Sequence, residues 1–195
     1  MKLLSFALML GVGAALPASA QDASKTLRIV VPEAINKLET CHSQLNPISR
    51  VVLPNLAEPL TQLDPDSGDV QPRLATEWSQ DGNTWRFKLR EGVKFQDGSD
   101  FTADAFASTI ARTLDPALEC NNTRYFDGLE VTTTVVDDHT IDITTEPFQP
   151  TLPLVLTKVP IVSTSATKTE EDRAPIGTGP YALDSWPSPQ EVTLK

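Results

Sequence analysis

Cys41 and His42 stand side by side, and Cys120 and His139 are the only other cysteine and histidine among the 195 residues. Thiol and imidazole are the side chains best suited to soft-metal ligation and to nucleophilic chemistry near neutral pH. An adjacent Cys-His pair lacks the spacing of a chelate, and His139 falls in the turn signal Asp137-Asp138-His139, so metal is the weakest of three fates for the cysteines. The other two are a pair of buried free thiols and a Cys41–Cys120 disulfide, which is the default in an oxidising compartment. Closing a loop of about 80 residues would stabilise the fold by roughly 4–5 kcal/mol in the chain-entropy picture. Hydrolysis would need a nucleophile beside a base, paired carboxylates or a metal. Neither G-x-S-x-G nor H-E-x-x-H occurs, while the 26 Asp and Glu residues leave a carboxylate pair open. Gly177-Thr178-Gly179 has the glycine spacing of a phosphate loop. Such a loop opens a helix, however, and Pro180-Tyr181-Ala182-Leu183 starts a strand instead. These glycines read as structural, allowing a tight crossing between domains.

The N-terminal residues Met1–Ala20 have the plan of a secretory leader. Lys2 supplies the positive end, Leu3 to Leu16 are mostly apolar, and Ala18-Ser19-Ala20 is a small-residue cleavage point. The apolar run is too short, and too soon followed by Pro17, to span a membrane. Cleavage after Ala20 would make Gln21 the first residue, with no cysteine there to carry lipid, so a soluble periplasmic protein is expected. The formal net charge of −10 comes without a basic patch, which argues against nucleic acid or an anionic membrane surface as partner. The apolar share of 39% is enough for a real core. No internal repeat is visible, and the prolines are scattered through turns.

Alternation of apolar and polar residues places a first strand at Leu27-Arg28-Ile29-Val30-Val31, before a polar loop over Glu33–Pro47. Arg50 to Leu60 has helical spacing through Val52, Leu56 and Leu60. A short amphipathic segment from Leu74 leads to the turn Asp81-Gly82. Trp85, Phe87 and Leu89 then alternate with Arg86, Lys88 and Arg90 as a half-buried strand, and Val93 and Phe95 continue the pattern as a second one. After the turn Asp97-Gly98, a helix begins with Thr102 as cap and Asp104 at the positive end of the dipole, with Phe106, Ile110 and Leu114 on one face. Asp115-Pro116 closes it. Ala117–Gly128 is a polar loop, Val131–Val135 and Ile141–Thr145 make a hairpin, Leu152–Val159 form a short helix or irregular buried segment, and a strand opens near Val192. Taken alone, this describes a β-rich module carrying a helix.

Two blocks add more. Leu74–Arg112 (LATEWSQDGNTWRFKLREGVKFQDGSDFTADAFASTIAR) and Ala174–Tyr181 (APIGTGPY) resemble, in the same order, the signature regions of the bacterial extracellular solute-binding proteins of family 5. These are receptors of ABC importers for peptides, nickel and oligosaccharides. The resemblance runs from Leu27 to Lys195. It implies a mixed α/β (α+β) fold of the periplasmic-binding-protein type II kind, an incomplete lobe I with an inserted β-rich domain. Residues 25–51 and 163–195 would be two parts of lobe I, the second truncated at Lys195, and 52–162 the inserted domain. It implies a monomer without cofactor or metal that captures a peptide, opine-like or oligosaccharide solute and delivers it to an inner-membrane ABC permease. The loop after the first strand, with Glu39, His42 and Asn46, and the loop after the Thr102 helix, with Asn122, Arg124 and Tyr125, would face the ligand. Where the peptide binders commonly carry Ser-Pro-Tyr, this chain reads Cys120-Asn121-Asn122, which favours a more polar ligand. An extracytoplasmic sensor domain on the same fold and an exported hydrolase are the competing readings.

Overall fold

The computed structural model describes residues 27–44, 46–51, 54–166 and 174–195. The leader expected over Met1–Ala20 lies outside these. The chain divides into two compact units, Met1–Val30 and Val31–Lys195. Of the first, only residues 27–30 are described. They form no strand, and Leu27, Ile29 and Val30 are exposed.

Strands β1 (Thr61–Leu63) and β2 (Val70–Pro72) form a short antiparallel pair, and the second unit is built around a four-stranded antiparallel sheet of order β3-β4-β6-β5. Its strands are β3 (Ala75–Asp81), β4 (Thr84–Leu89), β5 (Glu130–Asp137) and β6 (Thr140–Glu146). The short amphipathic segment expected from Leu74 is thus a full strand, whose Trp78 lies opposite Phe87 of β4 with ring centroids 6.1 Å apart. The two-residue connection Gly82-Asn83 puts Gly82 at φ +54°, a conformation that glycine adopts without a Cβ penalty. Along β4 the side chains sort as their period demands: Phe87 and Leu89 are buried while Arg86 and Lys88 are exposed. On the polar face, Arg86 donates through Nε and Nη2 to both carboxylate oxygens of Asp142 at 2.7 Å, holding that carboxyl below its ordinary value, chiefly through the hydrogen bond.

Val93 and Phe95 do not extend the sheet. Their backbones close on the following turn instead: Phe95 N–H donates to Ser99 and Phe101 N–H to Val93, leaving one isolated bridge between Lys94 and Asp100. Helix α2, Ala103–Leu114, follows as expected; α1 is Asn46–Val51 and α3 Leu152–Val155. Thr102 stands at the N-cap of α2 in extended conformation, but its hydroxyl makes no capping bond; its carbonyl takes the Ala105 N–H. Phe106 and Ile110 bury one face of α2 in the main core with Phe87, Ile141, Ile143 and Phe101. Burial of each such side chain contributes about 1.5–3 kcal/mol. Thr109, Arg112 and Thr113, also buried, form a second and polar face.

A smaller core joins two distant stretches. Ile35, Leu38, Ile48, Leu56 and Ala57 pack with Leu183 and Trp186 of β7 (Leu183–Ser188) and Val192 and Leu194 of β8 (Glu191–Leu194). The helix expected over Arg50–Leu60 therefore lies earlier, because the backbone at 55–57 is committed elsewhere. Asn55 and Leu56 carbonyls accept the Tyr181 and Gly179 N–H groups at 3.0 and 3.1 Å. Gln96 bolts this crossing from a third direction. Its side-chain amide nitrogen lies within hydrogen-bonding distance of the carbonyls of Leu56 (2.9 Å), Gly179 (3.2 Å) and Tyr181 (2.6 Å), and its Oε1 accepts the Gly177 N–H at 2.9 Å. A Cβ on Gly177 would fall 2.6 Å from the Ala57 Cα, and one on Gly179 would fall 2.7 Å from the Leu56 carbonyl carbon. The glycines are there for room.

Candidate functional site

The polar face of α2 decides where the Glu39–Gln44 loop goes. Arg112 projects from the last turn of the helix, and its guanidinium meets the Glu39 carboxylate, with Nη2 donating to Oε2 and Nε to Oε1 at 3.3 Å. Glu39 also accepts the Cys41 N–H at 3.2 Å and the Thr40 hydroxyl at 3.3 Å. It thereby caps the 3-10 turn Thr40–His42. Both partners of the ion pair are almost wholly buried, at 1% and 3% exposure. Breaking such a pair from one side leaves an uncompensated charge in the interior.

The loop is then tied to the 3-10 segment Asn121–Phe126, which follows α2. Cys41 and Cys120 form a disulfide with Cα atoms 5.1 Å apart across 79 residues, packed with Leu118 in a small apolar cluster of its own. Asn122 is fully buried. Its amide nitrogen lies within hydrogen-bonding distance of the Ser43 hydroxyl (3.0 Å) and of the carbonyls of Lys158 (3.1 Å) and Thr40 (3.4 Å). The Asn121 N–H donates to His42 Nδ1 at 3.4 Å. Lys158 closes the short helical stretch Leu152–Lys158, so one asparagine gathers three separate elements.

The six residues expected at the ligand separate into two groups, with one left over. Glu39, His42 and Asn122 sit in the buried clamp. Arg124 is exposed and Tyr125 half-buried at its rim; the Tyr125 hydroxyl donates to Gln44 Oε1 at 2.8 Å, and the Arg124 guanidinium lies 5.2 Å from the Tyr125 ring centroid, within cation–π range. Asn46 opens α1, and its side chain lies outside the described structure. Arg112, Ser43, Gln44 and Lys158 were not foreseen. The one available signal was the Thr109, Arg112, Thr113 stripe at helical spacing, flanking the apolar stripe. Among the described residues, no three or more His, Cys, Asp or Glu side chains come together to hold a metal, and no helix is long and apolar enough to cross a membrane.

Chemically, the assembly offers a hydrogen-bonding rim on a rigid base, with donors from Arg124 and a phenol–amide pair. The fold has solved counterparts. A mannopinic acid complex of the binding protein MoaA from A. tumefaciens R10 superposes with TM-score 0.73 at 25% identity, over 85% of this chain and 36% of that one. A nickel ABC transporter structure from Bacillus halodurans gives 0.67 at 32% identity, over 83% and 32%. These define a mixed helix-and-sheet fold of the type II periplasmic-binding-protein class. The glutathione-binding protein GsiB of Shigella boydii serotype 4 is 30% identical, over 95% of this chain and 37% of its own length. Residues 69–195 match the family model described as bacterial extracellular solute-binding proteins, family 5 Middle, and the chain belongs to that family. It spans about 37% of the length of the GsiB relatives it matches.

Proposed function

We propose that this protein is the receptor of an ABC importer, capturing a small solute outside the cytoplasm and delivering it to an inner-membrane permease. Family membership across residues 69–195 carries the proposal. Export by the Met1–Ala20 leader, with cleavage after Ala20, puts the protein in the periplasm. In this reading 25–51 and 163–195 are two parts of lobe I, and 52–162 is the inserted domain. The two cores support that division except at its first boundary: the smaller one joins 31–57 with 183–194, so that Leu56 and Ala57 pack with the lobe I parts, and the larger one draws almost wholly on 60–161. The crossing at Gly177–Tyr181 is where the chain returns from the insertion.

Within the site, Glu39, His42 and Asn122 hold the loop, while Arg124, Tyr125 and Asn46 meet the solute. Binding rather than chemistry is the task, with affinity from contacts made only when lobes close. A peptide or similarly polar acid fits best, since the GsiB relatives are named for glutathione and the MoaA structure holds mannopinic acid. Thermal-shift screening of the full-length protein, with both lobes present, against peptide, opine, oligosaccharide and nickel-chelate sets tests this. Stabilisation by one set and not the others is the expected result, and stabilisation by none overturns it.

A further inference from the structure

Beside β1 (Thr61–Leu63), against the 3-10 turn Leu156–Lys158, lies a solvent-open cavity of about 250 Å³. Among the described residues Glu58 is its only acidic lining residue, and both carboxylate oxygens are taken. Oε1 pairs with Arg73 Nη2, and Oε2 accepts the Thr178 hydroxyl at 2.7 Å. The Thr157 hydroxyl, also at the wall, donates inward to the Leu154 carbonyl at 2.8 Å. Lys158 differs. Its carbonyl is anchored by Ser43 and Asn122, yet among the described residues no carboxylate pairs with its ammonium group. A guanidinium has five N–H donors, so Arg73 retains several after meeting Glu58, and Gln62 adds an amide. The cavity is therefore rich in donors, poor in open acceptors, and locally positive in a chain of net charge −10. Its remaining wall is apolar, through Pro59 and a Leu63 left 39% exposed.

We propose that this cavity is a binding site for a small aliphatic carboxylate, with Lys158 and Arg73 taking the charge and Leu63 and Pro59 the hydrocarbon tail. A neutral solute would gain no charge-assisted hydrogen bond from the lysine, and a cation would meet the two positive groups. The cavity meets the clamp only through Lys158, whose backbone carbonyl serves the clamp and whose side chain serves the cavity; none of Arg124, Tyr125 and Asn46, which meet the solute, lines it. Titration of ¹⁵N-labelled protein with butyrate and with its uncharged isostere butyramide tests it. Butyrate should produce saturable shifts at the Gln62 side-chain amide and the Leu63 and Thr157 backbone amides, and butyramide should not. Lys158→Gln should weaken butyrate about fivefold, Lys158→Arg should retain it, and Lys94→Gln, which removes the partner of Asp100, should leave it unchanged. Equal response to the two ligands, absence of saturable shifts at those amides, or full affinity in the Lys158→Gln protein would each overturn the assignment. The two-ligand comparison requires no variant to fold.

Discussion

Replacing Gly177 by Ala adds a single methyl group where two backbones cross closely. The new Cβ would stand 2.6 and 2.7 Å from the Ala57 Cα and Cβ, and closer still to the Leu56 carbonyl oxygen. Carbon atoms rest at about 3.5–4.0 Å, so the two backbones must separate by about 1 Å. Overpacking of this kind costs about 1–3 kcal/mol. The separation also strains the Gln96–Gly177 pair of hydrogen bonds (2.9 and 3.0 Å) and the Gly179–Leu56 bond, each contributing about 0.5–1.5 kcal/mol net. The expected loss is about 3–5 kcal/mol, lowering Tm by roughly 6–20 °C for a domain of this size. Gly92→Ala is the matched control. There φ is +71° with no atom within 4 Å of the added carbon, so only conformational strain of about 1–2 kcal/mol applies. Urea unfolding of both variants by tryptophan fluorescence, compared at equal m-value, gives the difference. A Gly177→Ala protein no less stable than Gly92→Ala would refute the close crossing and, with it, the reason given for the G-T-G sequence.

Four further outcomes follow from the geometry. Arg112→Met should destabilise by about 3–5 kcal/mol while the double variant Glu39→Met/Arg112→Met recovers most of that loss in the same urea assay. Substituting both cysteines by Ala should lower stability by up to about 4–5 kcal/mol, with proteolysis entering first in the Glu39–Gln44 loop. The Asp142 carboxyl is held below the ordinary 3.8 by its hydrogen bond from Arg86. Its contribution is present above that value and lost as pH falls through the lower folded one, so Asp142→Asn should flatten the acid limb of a Tm-versus-pH profile below about pH 4. Arg124→Gln, at an exposed position, should leave stability within about 0.5 kcal/mol yet reduce affinity for whichever solute stabilises the protein, as read by calorimetry.

Elements whose pattern is local were legible in the sequence, and those set by distant partners were not. The alternation Trp85-Phe87-Leu89, the Phe106-Ile110 face and the hairpin around Asp137–His139 each encode their own burial, and each forms where periodicity puts it. Leu74–Asp81 carries a weaker pattern and becomes a strand because β4 supplies its ladder. Leu56 and Leu60 have helical spacing, but no helix forms there because the Asn55 and Leu56 carbonyls accept hydrogen bonds from residues more than 120 positions away. The same limit governs the site. Glu39 and Asn122 were visible as polar side chains in loops, but the facts that one meets Arg112 across 73 residues and the other the Lys158 carbonyl are properties of the packing. Arg112 has the longest reach among the polar residues on its helix face, and a polar stripe beside the apolar face of a helix is the trace such a contact leaves.

The way the Glu39–Gln44 loop is fastened also bears on what it can do. An apolar anchor would let the loop slide, since hydrophobic contact has no preferred direction. Here the fastening is a buried ion pair, an asparagine shared among three elements, and a covalent bond. Each is directional, and together they hold the chain on either side of His42 to one position. Gln44 and Tyr125, which meet at the edge of that fastening, are consequently placed before any solute arrives. A receptor pays for ordering its contact residues on binding unless they are already ordered, so under the proposed function the buried polar residues would act on affinity without touching the ligand. Loosening the clamp at Asn122 or the disulfide would therefore weaken solute binding even with Arg124 and Tyr125 intact, while removing Arg124 would weaken it with the clamp intact.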